Sequence, residues 1–247
     1  MADLNNFCAG RKPVIDLIQN SPEICLELLI AENINAAFKN EIINLARENK
    51  ILYKLVKNDV LEKFSRDLNH QGVICKIKSP QKISLEEFLK SISKRAALIV
   101  ILDHIEDPHN LGAVIRTAEA GGASCVIIPD KRAALPNATV FKTSAGASLR
   151  LPVIQVVNIS RAIEILKQNN FWVAGLDEKS DTSIYANKLP ERLALVLGAE
   201  GNGISRLVKQ NCDMLIKIPI KNGGVGSLNA SVACALGIFE WTKERLF

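Results

Sequence analysis

The sequence has no cysteine pair in CxxC spacing, no HExxH segment and no cluster that joins cysteine to histidine. Those are the spacings that hold zinc, so no metal site is expected. The six cysteines, Cys8, Cys25, Cys75, Cys125, Cys212 and Cys234, are scattered, most of them among apolar residues. They read as reduced, mostly buried thiols of a cytoplasmic protein. No apolar run approaches the roughly 18 residues needed to span a bilayer. The opening MADLNNFCAG lacks an apolar stretch of the secretory kind, so no signal peptide and no membrane partner are expected. The glycines at 198, 201 and 203 do not form GxGxxG, and no Gly-Lys-Ser/Thr phosphate loop follows them. A dinucleotide-dependent dehydrogenase is therefore a weak reading. No internal repeat or low-complexity tract stands out.

What is present is a chain of 247 residues, 48% hydrophobic, with a net charge of +5. That length suits one large domain or two small ones. Mild basicity permits a nucleic-acid partner without requiring one.

Residues 1–78 alternate helical and strand patterns. Helices are expected at 13–19, 36–48 and 60–64, and strands at 24–30, 51–56 and 72–77, a compact αβαβαβ unit. Lys39, Arg47, Lys50, Lys57, Lys63 and Arg66 lie on its helices and turns. They fit an ordinary solvated face or a surface that grips a phosphate backbone. Residues 79–95 read as a linker, with Ser79-Pro80, an amphipathic turn or two around 85–92, and Lys94-Arg95. From residue 96 to 247 the alternation restarts. Strands are expected at 97–102, 124–128, 152–157, 171–176, 193–197 and 214–220, and helices at 112–120, 137–144, 161–169, 205–211 and 228–244. The strands are continuous apolar runs, which predicts a parallel sheet covered on both faces.

Residues 193–233 hold two such runs, each ending in a glycine-bearing polar turn, 198–203 and 222–229. Two such turns can build one pocket at the carboxyl ends of parallel strands, where open α/β sheets bind ligands. They can equally be ordinary strand–helix loops. Glu200, set between glycines, is hard to explain by packing. Ser227 and Asn229 fit either a site or simple helix caps. Upstream, the segment DHIEDPHNLGAVIRTAE places Asn110 and Arg116 on a turn and the helix after it. Arg116 and Glu119, three apart, also fit a surface ion pair. The small residues of Lys142-Thr143-Ser144-Ala145-Gly146-Ala147 suit close ligand approach or a helix end stopped by glycine.

Four segments in order, DPHNLGAVIRTAEAGGA, KTSAGASLRLPV, LVLGAEGNGISRLV and IPIKNGGVGSLNASVA, resemble the SpoU family of RNA ribose 2′-O-methyltransferases, within the SPOUT superfamily. The resemblance covers about 96–247. GRKPVIDLI and NHQGVIC add a resemblance to the L30e-like, ribosomal-protein-like RNA-binding domain of the branch that methylates a guanosine in 23S ribosomal RNA.

The resemblance implies an α/β domain with a parallel sheet and a deep trefoil knot, a homodimer packed through it, and transfer of a methyl from S-adenosylmethionine to a ribose 2′-OH. It implies cofactor contacts at Thr143, Ser144, Leu197, Gly198, Gly201, Ile218, Ile220 and Leu228. It implies polar site positions at Asn110, Arg116, Glu200, Ser227 and Asn229. Arg116 matches the arginine proposed to activate the hydroxyl. Because arginine stays protonated up to a pH of about 12, a fixed positive charge that stabilises developing alkoxide is the better role. The proton then leaves through a phosphate, water or Glu200. Ala230 and Ile220 stand where relatives often carry valine and methionine; neither departure removes a polar group. The rivals are the same reaction on transfer RNA, and an RNA-binding protein without catalysis, which would need no Glu200 or Ser227–Asn229.

Overall fold

The computed structural model describes residues 7–65, 69–78, 83–92, 95–221, 226–243 and 245. Arg66, parts of the expected linker and residues 222–225 of the second glycine turn lie outside them. The chain divides into two compact units, residues 1–81 with 137–146, and residues 82–136 with 147–247.

In the first unit, β1 (Phe7–Ala9), α1 (Arg11–Asn20), β2 (Cys25–Ala31), α2 (Ala36–Glu48), β3 (Leu52–Val56), α3 (Asn58–Ser65) and β4 (Val73–Ile77) follow one another. The sheet order is β1-β4-β2-β3. β2 and β3 are parallel, while β4 runs antiparallel between β1 and β2. The expected αβαβαβ alternation is there, preceded by β1, whose three residues are too few for a pattern to show. Phe7, Ala9, Leu29, Ala31, Leu61 and Ile74 bury one sheet face beneath α3. Asn35 caps α2 by accepting from the Phe38 amide at 3.2 Å.

The second unit opens with α4 (Leu85–Ser91), where Ser84 and Glu87 form a reciprocal capping box. Leu85 and Phe88 of this helix sit in the unit's core. Then come β5 (Ala97–Asp103), α5 (Pro108–Ala120) and β6 (Cys125–Pro129). α6 (Ala138–Thr143), which belongs to the first unit, is followed by α7 (Ala147–Arg150), β7 (Val153–Val156), α8 (Ile159–Gln168), β8 (Trp172–Leu176), β9 (Arg192–Gly198), α9 (Arg206–Asn211), β10 (Met214–Ile216) and α10 (Ala230–Thr242).

The strands of this unit form one parallel sheet in the order β10-β8-β9-β5-β6-β7. All seven residues of β5 are buried, as expected for a central strand covered on both faces. Ala97, Ile99 and Ile101 face a core shared with α4, α8 and α9. α5 and α10 pack against each other, and α10 also packs on β9. The helix comes close to the sheet: a Cβ on Gly237 would lie 2.6 Å from Leu195 Cδ2. Trp241 Nε1 donates to the Pro190 carbonyl at 2.9 Å, and Thr242 Oγ1 to that of Gly121 at 2.7 Å.

The strand expected over 214–220 is shorter than the apolar run. β10 stops at Ile216, after which Lys217 pairs with 182–184 by backbone: its amide donates to Thr182, and its carbonyl accepts from Ile184, both at 2.8 Å. Pro219 has no N–H to offer a sheet ladder. Ile218 and Ile220 are apolar for another reason, described below. The cysteines are free thiols. Burial pushes Cys125 and Cys234 well above the ordinary thiol range, so they are inert packing groups.

Candidate active site at the carboxyl ends of the parallel strands

β9 takes the slot between β5 and the earlier-laid β8, so the polypeptide ends of β8 and β9 open side by side. The backbone after each must turn away, and the space between holds a cavity of about 450 Å³. That is the size range of small-ligand sites. Among the described residues its wall comes from the second unit: Leu176 at the end of β8 and Asp177–Lys179 after it, Leu197–Ile204 at the end of β9 and after it, Ile218 and Ile220 after β10, and Gly226–Leu228 before α10.

The loop after β9 is fixed by its glycines. A Cβ on Gly198 would lie 1.9 Å from the carbonyl carbon of Gly203, so nothing larger than glycine fits there. The Gly203 amide closes the loop onto the Ala199 carbonyl at 2.9 Å. Gly201 has φ +81, a left-handed conformation that glycine adopts at little cost.

Glu200, in this loop, is the hub of a polar network. Its Oε1 accepts from Asn110 Nδ2 at 3.1 Å, from Asn229 Nδ2, and from the Ala230 amide at 3.4 Å. Asn229 Nδ2 also donates to Asn110 Oδ1 at 3.0 Å. Three segments far apart in sequence thus meet: the first turn of α5, the loop after β9 and the start of α10. Asn229 is both cap and site residue, since its Oδ1 accepts from the Ser231 amide at 2.9 Å. Asn110 is held in place because Asp107 caps α5 through the His109 amide at 2.9 Å, with Pro108 in the first turn.

Of the residues singled out in the sequence, Leu197, Gly198, Glu200, Gly201, Ile218, Ile220, Ser227 and Leu228 line the cavity. Asn110 and Asn229 join it through Glu200. Arg116 does not line it. Arg116 is exposed on α5, and among the described residues no hydrogen bond or ion pair engages it. The Arg116–Glu119 pair that the spacing also allows does not form; Arg150 of α7 takes Glu119 with both arms, Nη2 to Oε2 at 2.9 Å and Nε to Oε1. Thr143 and Ser144 belong to the first unit, and their hydroxyls bond to carbonyls of their own helix, Thr139 and Phe141 among them.

Sequence reasoning missed the charged side of the cavity. Asp177 and Lys209 line it and form an ion pair. Burial raises the Asp177 carboxyl, but Lys209 and the Lys179 backbone N–H outweigh it and hold the group below the usual carboxylate range. The available signal was an acid placed directly after an apolar strand, which in a parallel sheet faces the ligand edge.

The profile of the SpoU rRNA Methylase family matches residues 97–239. A profile described as RNA 2′-O ribose methyltransferase substrate binding matches residues 8–83. The chain is 38% identical, over 98% of its length and 97% of the relative's, to the 23S rRNA (guanosine-2′-O-)-methyltransferase RlmB of Xylella fastidiosa. It is 42% identical, over 89% of its length and 88% of the other's, to a Staphylococcus aureus protein whose name places it in a TrmH family of tRNA/rRNA methyltransferases. Its fold is that of the SpoU methyltransferase AviRb of Streptomyces viridochromogenes, solved in complex with AdoMet. The TM-score is 0.81 at 20% identity, covering 97% of this chain and 90% of that one. With the cavity, the network and both profiles in agreement, the chain belongs to the SpoU rRNA methylase family.

Proposed function

We propose that this protein transfers a methyl group from S-adenosylmethionine to the ribose 2′-OH of a guanosine in 23S ribosomal RNA. The observation that carries the reading is the Asn110–Glu200–Asn229 network at the mouth of the cavity. A non-catalytic RNA binder would have no need to gather these polar side chains from three segments around one carboxylate.

The cavity suits an adenosine. Leu197, Ile218, Ile220 and Leu228 offer apolar contact, and the loop after β9 offers close backbone approach. S-adenosylmethionine supplies an activated methyl on a sulfonium, so the protein's work is alignment and proton removal. Glu200 has one oxygen engaged by the three N–H donors named above. That fixes the carboxylate's orientation and leaves its other oxygen for ligand or water. Arg116 supplies a fixed positive charge that stabilises the forming alkoxide and holds a neighbouring phosphate. Because it stands outside its own chain's cavity, it works at the cavity of a second copy.

A homodimer is the assembly this requires. Val232, Leu236 and Phe239 are 47%, 39% and 48% exposed and recur every three to four residues along α10, the spacing of one helical stripe. Residues 96–247 are the transferase domain, with the family's knot; residues 79–95 lead into it from an RNA substrate-binding domain at 1–78, with α4 packed into the transferase core. The 8–83 profile match supports the latter assignment. The protein acts in the cytoplasm, with its ribosomal RNA substrate.

The test is label transfer. With methyl-labelled S-adenosylmethionine and unmodified 23S ribosomal RNA, the label is expected as 2′-O-methylguanosine after nuclease digestion. Label in transfer RNA alone would move the substrate class, and no transfer to either RNA would overturn the reading.

A further inference from the structure

Asp103 ends β5 with its side chain only 1% exposed, and nothing in the reading above uses it. Its two oxygens are both engaged. Oδ2 accepts from the Ser205 amide at 2.7 Å, and Oδ1 lies 2.6 Å from His104 Nδ1. Asp103 stands in register opposite Gly198, the residue at which the cavity loop leaves β9. Ser205 is the residue at which that loop ends and α9 begins. One buried carboxylate therefore sits beside the first residue of the loop and is bonded to its last. Inside the ring, the Gly203–Ala199 hydrogen bond and the close Gly198–Gly203 contact leave little freedom. The Asp103–Ser205 bond ties the end of the loop to β5.

A buried carboxylate is costly unless it is hydrogen-bonded, and a charge-assisted bond to a backbone N–H is among the stronger ones available. We propose that Asp103 is a positioning residue for S-adenosylmethionine. It sets the height and orientation of the 198–204 backbone against the cofactor by clamping the Ser205 amide. The inference rests on the reading that this loop holds the cofactor.

Two substitutions remove the same bond from opposite sides. Asp103→Leu keeps the side chain's branched shape but offers the Ser205 amide no acceptor, and a thermal melt separates loss of fold from loss of positioning. Ser205→Pro deletes the N–H itself, at a residue whose φ of −60 suits proline. Steady-state kinetics at varied S-adenosylmethionine and varied RNA, with binding by calorimetry, read the outcome. Both variants are expected to raise the KM and Kd for S-adenosylmethionine about tenfold, the scale of a charge-assisted hydrogen bond. The kcat at saturating cofactor should stay within about twofold, and the KM for RNA should not move. A cofactor KM within about twofold of the unsubstituted protein in both variants would overturn the assignment, as would a fall in kcat with cofactor affinity intact. Failure of the unsubstituted protein to bind S-adenosylmethionine would instead overturn the functional reading.

Discussion

Asn229 caps α10 with its Oδ1 and ties Glu200 to Asn110 with its Nδ2. The two tasks separate by substitution. Asn229→Ser keeps a capping oxygen and loses the amide donor; Asn229→Ala loses both. Thermal melts should show the serine variant near the unsubstituted protein and the alanine variant less stable by about 1 kcal/mol, the usual worth of a cap. Label transfer should fall at least tenfold in both. Ala230→Val, which alters no polar group, should be milder than either. At Arg116, lysine keeps the charge and loses the planar fork. Arg116→Lys should lose most turnover while calorimetric S-adenosylmethionine affinity stays within about twofold, because the side chain lies outside its own cavity. Near-normal turnover would remove Arg116 from the mechanism. Asn110, Glu200 and Asn229 were legible as one site only because four motifs occur together in order. Asn110 and Asn229 alone read as a surface polar group and a cap, whereas Glu200 stood out by itself because it is set between glycines. Asp103, Asp177 and Lys209 stayed hidden because an acid after a strand and a lysine on a short helix are ordinary features until the sheet places them at one edge.

Among the elements, the loop after β9 depends most on one atom's absence. Gly198→Ala would put a Cβ inside the carbonyl group of Gly203, where backbone cannot give way as a side chain would. The cost should reach the upper end of the roughly 1–3 kcal/mol typical of overpacking. The variant should melt earlier and lose measurable S-adenosylmethionine binding; a variant that binds normally would show that the loop can open at this point. Most elements were legible from apolar runs and caps, and the buried strands of the parallel sheet especially so. The run at 214–220 misled for a physical reason. Hydrophobicity reports burial and not its partner: Ile216 is buried within the sheet unit, while Ile218 and Ile220 face the ligand cavity. β1 was missed because three residues at a sheet edge carry no period. α4 read as a turn or two of linker, yet Leu85 and Phe88, at helical spacing behind a capping box, are core residues.

For the whole molecule, the claim with most reach is that catalysis needs two chains. Phe239 ends the exposed apolar stripe of α10, so Phe239→Glu puts a charge where a partner copy would bury it. Light scattering should then report a monomer, with folding intact and label transfer lost. A monomeric unsubstituted protein with full activity would contradict the two-chain account. In the sequence, a homodimer is implied only by the family resemblance, since an apolar stripe names no partner. The same holds for the RNA, since a net charge of +5 fits many partners. The central claim is methyl transfer to one guanosine ribose in 23S ribosomal RNA. It is tested most directly by mapping 2′-O-methyl groups across ribosomal and transfer RNA from cells that carry the protein, lack it, or carry only its Arg116→Lys form. The account predicts one 23S guanosine methylated in the first cells and unmethylated, or nearly so, in the other two. Identical maps in all three, or a difference confined to transfer RNA, would contradict it.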